Sequence, residues 1–350
     1  MKTAAVTKIG ALGDPDEAKR GRIEVIDLPE QEMGDEDVKI RVAYCAICGS
    51  DPHVAEGAFG MHVPQGLGHE MSGVIESLGK NAVVKGLKIG DRVAGNFLHF
   101  CGTCYYCQNG QQQFCSHTSK RKSPCMAESV VWHESQVYKL PGGVSLKTGC
   151  LLEPVSVAVR AVDKLNPRVG SRIAVSGGGP IGQLCLQLLR LRGAVSLTLI
   201  EPIPGRRELG AAFGAEHLID PFTQDVEERA LDITGGIGYD AVLDVSGAPA
   251  AVVKLPGITA KGGTVLYGAM YPVAYEMPLN LFKYCYQNDL TFSGLFLSPY
   301  TFPRAVQLLS RLDLEPFTGV VFPIEEATEA YAAHITGKHA KVLVRCNDLD

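Results

Sequence analysis

The rhythm of hydrophobic and polar positions changes once along the chain, near Leu151. Before that point, short stretches alternate apolar and polar side chains. Val38-Lys39-Ile40-Arg41-Val42 puts its apolar residues on one face of a strand, the period of a half-buried sheet. Gly73-Val74-Ile75-Glu76-Ser77-Leu78-Gly79 and Asp91-Arg92-Val93-Ala94 read the same way, and Gly90-Asp91 marks a turn ahead of the latter. This part predicts a β-rich, barrel-like domain. Beyond Leu151, apolar runs of helical spacing separate short apolar strands. They predict a helix over Pro154–Leu165, a strand at 172–177, a helix at 180–192, a strand at 197–201, a helix at 204–213 and a strand at 217–220. A helix at 223–233 and strands at 239–245, Gly263–Gly268 and Leu290–Phe296 continue the series. Two helices, about 301–312 and 324–335, and a strand at Lys341–Arg345 close it. Such alternation builds a parallel, doubly wound sheet, so the chain reads as α/β with a β-rich companion domain. No repeats or long linkers interrupt it. Pro256, in the segment before Lys261-Gly262-Gly263, is unusual for a helix interior.

The strand Arg172–Val175 runs into Gly177-Gly178-Gly179-Pro180-Ile181-Gly182, a G-x-G-x-x-G turn that opens an apolar helical run from Ile181 to Leu191. Gly177 permits the tight turn, Gly179 lets a pyrophosphate approach the backbone, and Gly182 lets helix and strand lie close. The helix N-terminus then faces the phosphates. Many loops carry such a triplet, so its surroundings decide. Here a strand precedes it, a helix follows, and the next strand, Ser196-Leu197-Thr198-Leu199-Ile200, ends in Glu201. An acidic side chain roughly 20 residues beyond the turn accepts the ribose hydroxyls and repels a 2′-phosphate, which favours NAD over NADP. Arg206 and Arg207 follow, placed either to stack on adenine or to offset that preference. Ser246, in Asp244-Val245-Ser246-Gly247, closes a strand at the carboxyl edge of the same sheet, where a dinucleotide lies.

Composition sets limits. A length of 350 residues suits about two domains. The formal charge of −5, with no basic stripe, gives no reason to expect nucleic acid or an anionic membrane. Lys120-Arg121-Lys122 is short and reads as a solvated loop. No apolar run reaches the ~18 residues of a membrane span. The opening Met1-Lys2-Thr3-Ala4-Ala5-Val6 lacks the apolar core of a secretory signal. Eleven cysteines in such a chain fit a reducing cytoplasm, with clustered thiols as metal ligands rather than disulfides.

Two groups of residues have metal-ligand chemistry. Cys101, Cys104, Cys107 and Cys115 form C-x2-C-x2-C-x7-C. Four thiolates so close in sequence can surround one tetrahedral Zn²⁺, closed to substrate and therefore structural. An iron–sulfur cluster or disulfides compete with that reading, and the tight spacing favours zinc. The second group is dispersed: Cys48 in Cys-Gly-Ser-Asp-Pro-His (48–53), His69 in Gly-Leu-Gly-His-Glu (66–70), and Glu153 in Leu-Leu-Glu-Pro (151–154). A thiolate, an imidazole and a carboxylate leave a fourth zinc position open for water or an alcohol. Singly, Cys48 suits a core thiol, His69 a satisfied histidine and Glu153 a helix cap. Spacing alone does not bring them together.

In their order along the chain, Cys48-Gly49-Ser50-Asp51, Gly68-His69-Glu70, Gly90-Asp91-Arg92-Val93, the four-cysteine loop, Glu153-Pro154 and the glycine turn resemble the zinc-dependent medium-chain dehydrogenases. The likeness is to the polyol branch with the sorbitol, threonine and butanediol enzymes, and it covers nearly the whole chain. It implies a discontinuous GroES-like catalytic domain, residues 1–152 and 297–350, and a Rossmann domain, residues 153–296. It implies a catalytic zinc on Cys48 and His69, with Glu70 or Glu153 as a further ligand, and a second, structural zinc. Ser50 matches the hydroxyl that takes the substrate proton, and His53 the next member of that relay. Gly268-Ala269 and Leu295-Phe296 match stretches that flank the nicotinamide. A homodimer or homotetramer, assembled through strands of the nucleotide domain, is implied as well.

The expected reaction is reversible, NAD-linked oxidation of a secondary alcohol to a ketone. A primary-alcohol or aldehyde reductase of the same chemistry is the alternative, and an inactive nucleotide-binding protein a remote one. Two departures argue against sorbitol itself. Leu297-Ser298 stands where sorbitol dehydrogenases carry Arg-Tyr, and Val54 follows the relay histidine where they carry an aromatic residue.

Overall fold

A computed structural model describes residues 1–349 apart from 59, 61, 84 and 119–123, so Lys120-Arg121-Lys122 lies outside the described residues. In chain order the strands are β1 (Lys2–Lys8), β2 (Arg22–Asp27), β3 (Asp37–Ala46), β4 (Gln65–Gly66), β5 (Glu70–Leu78), β6 (Arg92–Gly95), β7 (Ser129–His133) and β8 (Val137–Lys139). There follow β9 (Arg172–Ser176), β10 (Ser196–Ile200), β11 (His217–Ile219), β12 (Tyr239–Asp244), β13 (Thr259–Tyr267), β14 (Thr291–Gly294), β15 (Val321–Pro323) and β16 (Leu343–Arg345). The chain divides into two compact units: Met1–Pro154 with Phe302–Asp350, and Val155–Thr301.

The first unit is built on sheets that are antiparallel apart from the parallel pair β15–β16. One runs β2-β1-β4, the other β15-β16-β3-β5-β6-β8, with β7 also on β3. The alternation in 38–42 has its expected result: Val38, Ile40 and Val42 are buried in a core shared with Ile75, Val93, Trp132 and Tyr331, while Arg41 is exposed. The C-terminal strand β16 pairs with β3 from the first fifty residues, Val344 opposite Cys45. Both ends of the chain therefore build one sheet.

The second unit is a six-stranded sheet in the order β11-β10-β9-β12-β13-β14, parallel throughout. The order reverses between β9 and β12, and ligands of open α/β sheets bind at the carboxyl ends of strands at such a switch point. The central strands are buried on both faces, which is why they read as continuous apolar runs. The helix Pro180–Leu191 has proline in its first turn, where no amide hydrogen is missed. It ends at Gly193, whose φ of +91° suits the left-handed cap. There the Ala194 amide reaches the Leu189 carbonyl at 3.1 Å and the Gly193 amide the Arg190 carbonyl at 3.0 Å, the paired bonds of a Schellman stop.

Several expected boundaries move. β14 stops at Gly294, so Leu295 and Phe296 lie past the strand, and Leu297 is already left-handed at φ +54°. β13 starts at Thr259, four residues before Gly263, where the pattern places its start, and ends at Tyr267. The helix expected from 223 begins at Val226, because Asp225 caps it by accepting from the Glu228 amide at 2.9 Å. The helices expected at 301–312 and 324–335 are Phe302–Leu308 and Ala327–Ile335, the second led by a 3₁₀ turn, Ile324–Glu326. Pro256 is no anomaly: it sits in the first turn of a 3₁₀ segment, Leu255–Ile258. A π-helical turn at Phe282–Gln287 was not expected.

Candidate active site

Cys48 lies two residues past the end of β3, in a turn that the chain closes on itself. The Asp51 amide donates to the Cys48 carbonyl at 3.1 Å, and the Cys48 amide donates to Asp51 Oδ2 at 3.0 Å. Across from it, His69 is introduced by Gly68 at φ +91°. A Cβ on Gly68 would stand 2.7 Å from both Cys45 Sγ and the Met126 amide nitrogen, so no other residue type fits under the histidine. Glu70 then begins β5. The Cys48 sulfur, a His69 ring nitrogen and a Glu70 carboxylate oxygen all lie within 4.8 Å of one another. Three donors of the zinc type, drawn from segments twenty residues apart, thus converge in one place.

Glu153 is buried at the head of the helix Leu152–Leu165 and stands outside that closest set. Burial pushes its carboxyl up to about 7; the His69 charge lowers it, and Glu70 raises it further. For His69, burial opposes the charged ring, but the Cys48 thiolate, Asp51 and Glu153 prevail and hold it well above the ordinary value. A dication here would meet ligands already gathered and would displace the protons that the raised pKa values of His69 and Glu153 favour. The donor set therefore fits zinc.

Three further residues complete the surroundings. Asp51 Oδ1 lies 3.6 Å from His69 Nδ1, and Asp51 Oδ2 accepts from the Tyr331 hydroxyl at 3.1 Å. A carboxylate behind a ligating histidine fixes its orientation. Lys341 Nζ lies 2.8 Å from Glu70 Oε1 and 2.7 Å from Oε2, in an ion pair whose members are at most 5% exposed. Neither Tyr331 nor Lys341 drew attention in the sequence. The available signal for Lys341 was a lysine at the head of an apolar strand near the chain end, and for Asp51 its place inside the Cys-Gly-Ser-Asp motif. Ser50 precedes the helix Asp51–Ala55 as its N-cap without a side-chain cap bond. His53 projects from that helix with Nδ1 3.5 Å from Glu56. Among the described residues no hydrogen bond joins Ser50 to His53.

Cys101, Cys104, Cys107 and Cys115 also gather within 4.8 Å. The Cys104 amide donates to Cys101 Sγ at 3.3 Å and the Cys101 amide to Cys115 Sγ at 3.4 Å. Hydrogen bonds from Thr103 hold Cys101 down to about 5, whereas burial pushes Cys107 up to about 12. Without a cation the four sulfurs cannot all be thiolates; a dication removes that conflict. All eleven cysteines are free thiols, and the set is tetrathiolate in kind and closed.

The predicted cofactor residues follow the carboxyl ends of the second unit's strands: the glycine turn and Ser246 stand at the switch point, Glu201 after β10, Gly268–Ala269 after β13, and Leu295–Phe296 after the edge strand β14. Gly177 has φ +102°, and a Cβ there would meet the Ser246 amide at 2.7 Å. A Cβ on Gly182 would stand 1.9 Å from the Gly177 carbonyl oxygen. Gly179 differs, since its Cβ would enter open space. Among the described residues no atom demands a glycine at 179, and the space there suits the close approach of a ligand. Gly179 is also the N-cap of the helix that carries Pro180 and Ile181, and no side chain caps it. Those free amide ends suit a pyrophosphate. Glu201 Oε2 accepts from the Gly178 amide at 2.6 Å and Oε1 from the Ile203 amide at 2.8 Å, with the Arg206 guanidinium 4.0 Å away. Arg207 instead binds the Glu201 and Pro202 carbonyls and Asp220, a structural role. Ser246 donates to buried Asp244 at 2.7 Å, as does the Tyr271 hydroxyl, and the Gly268 amide reaches the Asp244 carbonyl at 2.8 Å. Ala269 follows Gly268, the Leu295 amide donates to the Tyr267 carbonyl at 3.1 Å, and Phe296 is 57% exposed.

A glycine-turn nucleotide unit and an open Cys–His–carboxylate site in one chain are the equipment of a metal-dependent dehydrogenase. The alcohol dehydrogenase GroES-like domain matches residues 34–142, and the zinc-binding dehydrogenase domain residues 180–311. The chain is 31% identical over 320 residues to the 2-dehydro-3-deoxy-L-galactonate 5-dehydrogenase of Pseudoalteromonas atlantica, covering 89% of this chain and 92% of that one. It is 31% identical to a sorbitol dehydrogenase of Halalkalibacterium halodurans, covering 93% and 96%. A protein of Sinorhizobium meliloti described as a zinc-binding dehydrogenase, solved bound to NADP, superposes with a TM-score of 0.87 at 27% identity over 99% of each chain. The chain belongs to the zinc-dependent medium-chain alcohol dehydrogenase family and is an oxidoreductase of its polyol type. No described helix is long and apolar enough to cross a membrane.

Proposed function

We propose that the protein catalyses the reversible, NAD-linked oxidation of a secondary alcohol, in a polyol, sugar alcohol, cyclitol or related compound, to the ketone. The observation that carries this reading is the convergence of Cys48, His69 and Glu70, with Glu153 buried beside them, in a chain that also holds an acidic residue at the dinucleotide turn. Cys48, His69 and Glu70 would hold the catalytic zinc, with Glu153 as the carboxylate in reserve, and the four cysteines 101, 104, 107 and 115 a structural one. When bound, the zinc supplies a Lewis acid that lowers the alcohol's pKa, and NAD⁺ supplies the hydride acceptor.

The chain's own residues do the rest. Asp51 steadies the His69 ring from its Nδ1 side, which leaves Nε2 as the donor. Ser50 takes the alcohol proton at Oγ, and half-exposed His53 carries it towards solvent beside Glu56. Glu201 favours ribose hydroxyls over a 2′-phosphate. Val54 and Leu297, standing where sorbitol dehydrogenases carry an aromatic residue and an arginine, argue against sorbitol itself as the substrate. The edge strand β14 has one sheet neighbour, and exposed Leu281, Phe282 and Tyr286 lie just before it, a surface suited to a homodimer or homotetramer. Eleven free thiols suit the cytoplasm.

The test is a substrate panel of polyols, cyclitols, sugar phosphates, amino alcohols and simple primary alcohols, followed by NADH absorbance, with metal analysis of the same preparation. Turnover of secondary alcohols with about two zincs per chain is expected. Turnover confined to primary alcohols or aldehydes would replace this reading, and a zinc-free active enzyme would end it.

A further inference from the structure

Gln183 lies in the first turn of the helix Pro180–Leu191, one residue beyond the last glycine of the turn, and is 1% exposed. Its Nε2 donates to two backbone carbonyls at once, Gly178 at 3.0 Å and Arg206 at 2.8 Å. Two acceptors fix which end of the amide is nitrogen. Oε1 is then left buried without a hydrogen-bond partner; the ideal Cβ of Gly210 would stand 3.6 Å from it, beside Leu199 and Leu186. An apolar residue would suit that end of the side chain better, and an orphaned buried acceptor costs stability. What the amide accomplishes is at its other end.

The Gly178 peptide is held from both sides: Gln183 takes its carbonyl, and Glu201 takes its amide at 2.6 Å. Through the Arg206 carbonyl, the same side chain anchors the segment whose guanidinium stands 4.0 Å from Glu201. Gln183 is thereby joined to both charges that a ribose 2′-substituent meets. We infer that Gln183 is a positioning residue for cofactor choice: it fixes the Glu201 carboxylate by way of the Gly178 peptide and keeps the Arg206 guanidinium turned to that carboxylate. With Arg206 so held, the 2′-position faces an anion. With its backbone released, Arg206 is free to turn to a 2′-phosphate. The inference rests on the reading of this turn as a dinucleotide site.

The experiment compares Gln183→Met with the unaltered enzyme by titrating the zinc-loaded protein with NADH and NADPH and following nucleotide fluorescence. Gln183→Met removes the orphaned acceptor Oε1 and takes the donor from two carbonyls, Gly178 and Arg206, the second of which lies within the helix Pro204–Ala212, so its thermal midpoint is expected within a few degrees of the original. NADH affinity should fall about tenfold, NADPH affinity should fall less or rise, and the ratio should move towards one. A ratio that stays unchanged, whether both affinities hold or both fall together, overturns the inference. If Gln183→Met does not fold, Gln183→Asn, which keeps the donor but shortens its reach, is read by the same ratio with the same two outcomes. Failure of the unaltered protein to bind either nucleotide would instead overturn the dinucleotide reading.

Discussion

Replacing Lys341 by methionine removes the cation from the buried pair with Glu70 and keeps most of the side chain's volume. Nζ lies 2.7 and 2.8 Å from the two carboxylate oxygens, and both residues are almost fully enclosed. The variant leaves a carboxylate in the interior without its counter-charge, a change that costs about 3–5 kcal/mol. For a unit of about 200 residues, each kcal/mol moves the midpoint by about 2–4 °C, so a fall of about 6–20 °C is expected. Thermal unfolding of the chelated protein measures this. Adding Glu70→Gln removes the orphaned charge, and the double variant should recover part of the loss, with a coupling energy above about 1 kcal/mol. Zinc held by Glu70, as proposed, would supply some of the missing positive charge, so the effect of Lys341→Met should be smaller in the zinc-loaded protein. A midpoint within about 2 °C of the original, or additivity of the two changes, would refute the reasoning.

Three other outcomes are expected. Cys48→Ser should take the zinc content from two to one per chain and abolish turnover while sparing the four-cysteine site, as metal analysis would show; two retained zincs would remove Cys48 from the ligand set. Glu201→Ala should lower the NAD to NADP ratio of kcat/KM, and it should also weaken NAD binding by about 1–3 kcal/mol, because the Gly178 and Ile203 amides lose their acceptor; an unchanged ratio would clear Glu201 of the ribose role. The pH response of the zinc-free protein follows from Glu153, whose pKa of about 7 in the fold exceeds the ordinary 4.5. Between those values the folded state holds a proton that the unfolded chain has released, so this residue's contribution is complete at low pH and is lost as pH rises through 7, by about 3 kcal/mol in all. Urea unfolding of chelated protein at about pH 5 and pH 7.5 should show that slope reduced in Glu153→Gln, and equal slopes would contradict it.

How much could be read in advance differs between the two units for physical reasons. The parallel strands declare themselves because both their faces are buried, so Ile173-Ala174-Val175 is an unbroken apolar run and Leu197–Ile200 is apolar but for the buried Thr198. The four cysteines are legible because their chemistry is local, with all ligands inside fifteen residues. Cys48 and His69 were legible as candidates, but their convergence depends on where the turn after β3 and the start of β5 meet, which no local period records. The Glu70–Lys341 pair spans 271 residues and could not have been found from pattern. The strand predicted over Leu290–Phe296 shows the opposite error: an apolar run outlasts the strand, since Leu295 and Phe296 remain apolar after the chain has left the sheet. Gln183 escaped notice because glutamine inside an amphipathic helix ordinarily faces water, and this one faces two carbonyls.

The pairing of β16 with β3 has a consequence for how the molecule is made. The segment Val155–Thr301 is continuous, so every strand of its sheet has been synthesised before residues 302–350 are joined. The unit around Cys48 must wait: until residues 341–345 emerge, β3 lacks its partner at residues 44–46 and Glu70 lacks its cation. Domains generally fold as they are synthesised. In this chain the segment made second completes first, and the segment made first spends the rest of translation with an open sheet edge and an unpaired acid, the period in which a chaperone or a supply of zinc would matter most.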